Sequence, residues 1–191
     1  MKLFRNSKLD IRNCNKGFTL IETLVALVIF TTSIVGLISV TSTGVANTNY
    51  AKNKFIASYL AQEGVEMVRN IRDNSWLFGG ATPWADFLDL NPVKGVGLCI
   101  NSCQIDPETL TVSPCVDPDG CPLYYDYTNS GDGFYTYTGS TPSVFRRKIT
   151  VAGIGQLSGN AEVSVTSVVS WTQGSVVHST TYSENLLDWN Q

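Results

Sequence analysis

The chain has 191 residues, 43% hydrophobic and 15% charged, with a formal net charge of −3. This length suits one domain plus a separate apolar segment. Residues 1–17 carry five basic residues (Lys2, Arg5, Lys8, Arg12, Lys16) and Asp10, a local charge of +4, which leaves −7 on residues 18–191. An acidic body lacks the basic stripe that a nucleic-acid partner needs.

Residues 1–17 show no apolar period and read as a leader rather than part of a fold; Cys14 lies within it. From Gly17 to Val40 the sequence GFTLIETLVALVIFTTSIVGLISV holds one ionisable side chain, Glu22. That is long enough to cross a bilayer, which takes roughly 20 apolar residues. The basic flank predicts that the N-terminal side stays in the cytoplasm and the body is translocated.

Three readings of this segment compete. A cleavable secretory signal would use the small-x-small site Gly44-Val45-Ala46, but signal h-regions run about 7–15 residues and lack an internal acid. A simple membrane anchor leaves Glu22 as a costly carboxylate at membrane depth. The third reading rests on Lys16-Gly17-Phe18-Thr19-Leu20-Ile21-Glu22 directly before the apolar helix. This run resembles the processing signal of type IV pilins and type II secretion pseudopilins. The resemblance implies that a membrane aspartyl peptidase cuts between Gly17 and Phe18 and methylates the new Phe18 amine. It further implies that Glu22 guides assembly. An amine and a carboxylate four residues apart differ by about 6 Å along a helix. Glu22 of one subunit can therefore meet the Phe18 amine of the next, while other offsets leave both charges unpaired; an intrachain contact is the alternative.

Beyond Val40 the pattern becomes amphipathic. Ile56, Tyr59, Leu60, Met67, Val68 and Ile71 recur at three- and four-residue steps, with most charges off that face, which is helical spacing with one buried stripe. No proline precedes Pro83, so an unbroken helix is expected from about Phe18 to about Asp73. Gly36, Gly44 and Gly64 mark bending, local melting or close packing, and the sequence leaves these open. The run 61–76, AQEGVEMVRNIRDNSW, also resembles minor pilins. Thr82-Pro83-Trp84-Ala85-Asp86 predicts an N-cap and one or two helical turns over 83–90.

Cys99, Cys103, Cys115 and Cys121 follow within 23 residues. An even cluster in a translocated body reads as two disulfides; a four-cysteine zinc site is disfavoured because the spacings are not paired C-x2-C. With Asp106-Pro107-Glu108-Thr109 as a turn between short strands, nested pairing is expected: Cys103 with Cys115, and Cys99 with Cys121. The other pairing considered is 99–103 with 115–121.

LYYDY and FYTYT flank a Gly-rich turn at 128–133, a hairpin signal. In VFRRKITV, residues 144–151, Phe145, Ile149 and Val151 alternate with Arg146, Lys148 and Thr150. In AEVSVTSVVSW, Val163, Val165, Val169 and Trp171 share one face. Gln173-Gly174-Ser175 then turns into VVHSTTY. Four or five antiparallel strands with one apolar face need a cover, and the helical stripe of residues 50–73 supplies it. Tyr124, Tyr125, Tyr127, Phe134, Tyr135 and Tyr137 are expected to pack across strands, the other role considered being an exposed contact face.

Little here reads as chemistry. His178 is a surface or edge residue, and no nucleophile elbow, phosphate loop or zinc pair occurs. Asp117, Asp119, Asp126, Asn129 and Asp132 form weak calcium candidates, since Asx and Gly also dominate ordinary turns. No enzyme activity, cofactor or resident metal is expected.

The expected fold is α+β, a pilin-like ladle with a long N-terminal helix against an antiparallel sheet of about four strands. Its parts are a leader (1–17), a transmembrane or filament-core half-helix (18–40), an amphipathic half-helix (41–73), an irregular cysteine-bearing region (74–123) and a sheet domain (124–191). The resulting reading is a minor pilin of a type IV pilus-like filament, placed in the cytoplasmic membrane with its body outside the cytoplasm and then in a cell-surface filament. Its partners would be other pilin subunits, prepilin peptidase and the inner-membrane assembly platform. The alternatives are a pseudopilin of a type II secretion or DNA-uptake system, and a membrane-tethered binding module or adhesin.

Overall fold

A computed structural model describes residues 17–89, 95–126, 133–153 and 162–188. The chain divides into two compact units at Asn47/Thr48. Helix α1, Leu20–Phe78, is 59 residues long and contributes to both. It ends five residues beyond the expected Asp73, because nothing in Asn74–Phe78 breaks a helix before Gly79-Gly80. Ser75 Oγ donates to the Ile71 carbonyl at 3.0 Å, and the Asn74 side chain donates to that of Asn70 at 2.8 Å.

In the first unit every described residue is exposed, including Leu24, Leu27, Ile29, Phe30 and Leu37. This is the part of α1 long and apolar enough to cross a membrane.

The second unit is α+β. The C-terminal part of α1 packs on a seven-stranded antiparallel sheet. Its strands are β1 (Cys103–Ile105), β2 (Val112–Pro114), β3 (Cys121–Asp126), β4 (Phe134–Thr136), β5 (Pro142–Ala152), β6 (Glu162–Gln173) and β7 (Val176–Leu187). Strand β5 is central: it pairs with β6 along one edge and with β3 and β1 along the other. The sheet is completed by β2 on β1, β4 on β3 and β7 on β6. About four strands were expected; the sheet has seven among the described residues because β1 and β2, the short strands flanking the Asp106 turn, join the same sheet as the β3–β4 hairpin and β5–β7. Between β6 and β7, Gly174 has φ +63°, which suits the first central position of a tight hairpin turn. Pro83–Phe87 forms the short helix α2, though the Thr82 side chain makes no capping bond, and Gly97–Ile100 forms a 3-10 turn.

Two disulfides join Cys99 to Cys103 and Cys115 to Cys121, which overturns the nested pairing. The turn itself forms as expected, with Asp106 Oδ1 accepting from the amides of Glu108 and Thr109. In the resulting register, however, Cys103 faces Pro114 rather than Cys115. Cys99, in the 3-10 turn, folds back onto Cys103, and both are fully buried. Cys115 lies beyond the end of β2 and bonds the first residue of β3.

The core has two parts. Val65, Val68, Ile71, Phe87, Cys99, Cys103, Ile149, Val151, Val163 and Val165 belong to one. Ala57, Leu60, Ala61, Cys115, Cys121, Phe145, Val169 and Trp171 belong to the other. Full burial of each large apolar side chain contributes about 1.5–3 kcal/mol, so the stripe on α1 is the main cover for the sheet.

Of the three helical glycines, Gly64 serves close packing. A Cβ there would lie 2.4 Å from Ser167 Oγ and 3.3 Å from Arg147 Cδ, whereas Gly36 and Gly44 have nothing within 4 Å. Gly64→Ala is expected to destabilise the body by about 1–3 kcal/mol through overpacking. Gly36→Ala should leave body stability unchanged. Thermal unfolding of the detergent-solubilised chain compares the two.

Candidate functional site

Two places concentrate function-bearing side chains: the head of α1 and a buried polar belt where α1 meets the sheet.

At the head of α1, Gly17, Phe18 and Thr19 are non-helical and the helix begins at Leu20. The Thr19 carbonyl accepts from the amides of Glu22 (3.1 Å) and Thr23 (3.2 Å), and Thr19 Oγ1 accepts from the Glu22 amide at 3.3 Å. Both bonds are those of an N-cap residue. Phe18 is 79% exposed. Glu22 occupies the first turn, and its carboxylate has no ion-pair partner among the described residues. Acids at a helix N-terminus are stabilised by the macrodipole, but that is small compensation for a carboxylate in an otherwise apolar stretch.

The polar belt was not legible as a site. Arg147 is fully buried. Its Nε donates to Tyr137 Oη at 2.8 Å, and Nη1 donates to the Leu60 carbonyl at 3.1 Å and to Glu63 Oε2 at 2.6 Å. The guanidinium carbon also lies 5.2 Å from the Tyr137 ring centre. Burial raises the Tyr137 pKa, against the lowering effect of Arg147. Burial opposes the charge on Arg147, yet Tyr137 and Glu63 more than offset it, so Arg147 stays protonated. The missed signal was parity: Arg147 stands between Phe145 and Ile149 on β5, so period-2 alternation turns it inward.

Of the calcium candidates, Asp117 and Asp119 have structural partners. The Asp117 carboxylate pairs with Arg146 and also accepts from the Asp119 amide at 3.0 Å. Arg146 Nε donates to the Gly120 carbonyl at 2.9 Å and Ser170 Oγ to the Asp119 carbonyl at 3.3 Å. These bonds fasten the Cys115–Cys121 loop to β5 and β6. Asp126 ends β3, whereas Asn129 and Asp132 lie outside the described residues, as does Tyr127. Among the described residues no three His, Cys, Asp or Glu side chains gather as metal ligands.

His178 sits on β7 opposite Trp171, with ring centres 5.4 Å apart, and Tyr50 meets it edge-on at 5.0 Å. In the hairpin, Tyr125 pairs across strands with Tyr135 and Tyr135 packs on Phe145. Cross-strand packing therefore accounts for these rings.

Glu63→Leu removes the one carboxylate that pairs with Arg147 among the described residues and should cost roughly 3 kcal/mol, as breaking a buried pair does. Adding Arg147→Met should recover much of that loss. Tyr137 contributes a pH dependence as well. Its folded pKa is raised, so its contribution is complete below the ordinary tyrosine value near 10 and fades as pH rises above it. Tyr137→Phe should flatten the alkaline limb of a stability–pH profile; an unchanged limb would assign that slope to other groups.

Neither a curated protein nor a solved structure matches the chain. Residues 12–38 match the family model described as the prokaryotic N-terminal methylation motif. The match spans the Gly17–Phe18 junction, the Thr19 cap, Glu22 and the first turns of apolar helix. The motif implies prepilin-peptidase processing and assembly with pilin subunits in the proteins that it characterises. Together with the apolar half of α1 it gives a membrane-anchored, single-pass chain, and it is the motif characteristic of type IV pilins and pseudopilins.

Proposed function

We propose that this protein is a minor pilin, a structural subunit of a type IV pilus-like filament. The observation that carries the proposal is the methylation motif at the head of an unbroken helix whose first half exposes its apolar side chains on every side. Such a surface is stable in lipid or against the same surface on other subunits. The protein is inserted with its basic leader in the cytoplasm and its body outside, cut between Gly17 and Phe18, and methylated at Phe18. An assembly platform then lifts it from lipid into a helical bundle.

The cut creates a cationic amine four residues from Glu22. In a bundle nearly free of water each charge needs a partner. Glu22 of one subunit meets the Phe18 amine of its neighbour at an axial offset of about 6 Å, and subunits placed at other offsets leave both unpaired. The disulfide-braced body fits a specialised, minor subunit.

N-terminal mass analysis of the mature protein is expected to find a chain beginning with methylated Phe18. A start at Asn47 would mean an ordinary signal peptide, and a retained Met1 in cells containing the peptidase would mean an anchor. Glu22→Leu should insert normally but be incorporated into filaments at least several-fold less; wild-type incorporation would remove Glu22 from assembly.

A further inference from the structure

Only two residues, Phe18 and Thr19, lie between the scissile peptide bond and the helix start at Leu20. The first carbonyl to enter the ladder of α1 is that of Thr19, and among the described residues the carbonyls of Gly17 and Phe18 accept no backbone hydrogen bond. Thr19 closes the helix with its hydroxyl, which accepts from the Glu22 amide at 3.3 Å. The spacing Thr19-Leu20-Ile21-Glu22 is the S/T-x-x-E pattern of a capped helix N-terminus. Glu22 thus enters the cap through its backbone N–H, which leaves its carboxylate for other use.

A protease acts on extended backbone, and a peptide bond inside an α-helix must first be unwound. The first four N–H groups of a helix have no partner within it, and in apolar surroundings each orphan is costly. A helix start therefore settles where a side-chain acceptor satisfies one of them. Without the Thr19 hydroxyl, nothing fixes the start at Leu20. The helix gains by winding outward through Phe18 and Gly17, which moves its orphan donors toward the watery end of the segment. The bond to be cut would then lie within the first turn.

We propose that Thr19 is a positioning residue for processing: its N-cap holds the Gly17–Phe18 bond in non-helical backbone, where the peptidase can take it. The inference rests on the prepilin reading and adds to it a residue that acts through backbone conformation. Replacing a capping Thr by an apolar residue shifts a helix-start equilibrium by about fivefold, equivalent to ~1 kcal/mol.

The test follows cleavage of the full-length chain in cells containing the peptidase, by pulse–chase and N-terminal mass analysis of the membrane-inserted fraction. Thr19→Val keeps the shape of Thr19 but removes the acceptor, and its cleavage should be about fivefold slower. Thr19→Ser and Thr19→Asn supply the acceptor on different side chains and should be cut at the wild-type rate. Equal rates for Thr19→Val and wild type would overturn the proposal. So would Ser and Asn variants as slow as the Val variant, since the peptidase would then be reading the Thr19 side chain itself. A wild-type chain left uncut at Gly17/Phe18 would overturn the pilin reading, whereas a cut wild type with uniform variants would overturn only the role of the cap.

Discussion

The contact between α1 and the sheet is organised around a cation that has no access to water. Arg147 lies between Phe145 and Ile149 on β5, and those two residues belong to different halves of the core. On the helix, Glu63 and Gly64 fall between Ala61 of one half and Val65 of the other. On β6, Ser167 falls between Val165 and Val169 in the same way. A polar belt of Glu63, Tyr137, Arg147 and Ser167 therefore crosses the core and divides it in two. Apolar packing alone would tolerate sliding the helix by a turn, because a stripe of Leu, Ile and Val meets a similar stripe wherever it lands. The belt does not tolerate it. Displacing α1 by one turn would take Glu63 and the Leu60 carbonyl away from the guanidinium and bring a side chain down on Ser167 where Gly64 now lies. Burying a charge is weak support for stability in itself, so the argument here concerns position: the belt sets which residue of the helix faces which residue of the sheet.

This explains why the architecture was legible from sequence while its key was not. Hydrophobic period reports which face is buried, and it gave the amphipathic stripe, the hairpin and the faces of β5 and β6. The same period, applied to β5 without regard to residue type, would have turned Arg147 inward along with Phe145, Ile149 and Val151. Arginine is expected outside, and its partner Glu63 is 84 residues away in the chain; period carries no information about such a pairing. The cysteines failed for a related reason. The turn at Asp106 was correct and β1 does pair with β2, but the register puts Cys103 opposite Pro114. One residue of register separates the nested arrangement from the observed one, and short strands hold too few residues to set register by pattern.

The head of α1 shows the opposite balance. Its motif was legible as a resemblance because its parts are local: a small residue at the junction, an aromatic after it and an acid four residues further all lie within six residues, whereas the Thr19 cap was not read from sequence. Structure adds where the helix starts, Leu20 rather than Phe18. That shift of two residues matters because it puts the Gly17–Phe18 junction outside the hydrogen-bonded helix.

Two charge-bearing side chains set against apolar surroundings, Glu22 and Arg147, are handled in different ways. Arg147 is neutralised within its own chain, by an acid on α1, a phenol and a helix carbonyl, although its Nη2 is buried without a hydrogen-bond partner among the described residues. Glu22 has no such provision among the described residues: Leu20, Ile21, Leu24 and Val25 surround it, the Thr19 and Thr23 hydroxyls bond to backbone groups, and on the proposed reading its partner is the amine that cleavage would create. A chain able to bury an arginine so completely has the means to pair a carboxylate, and positions such as Ile21 or Leu24 would accept a cation sterically, since both are exposed. That Glu22 pairs with no cation among the described residues is the arrangement expected when its partner belongs to another subunit. On the proposed reading, the body is complete in itself and the head of the helix is complete only in an assembly.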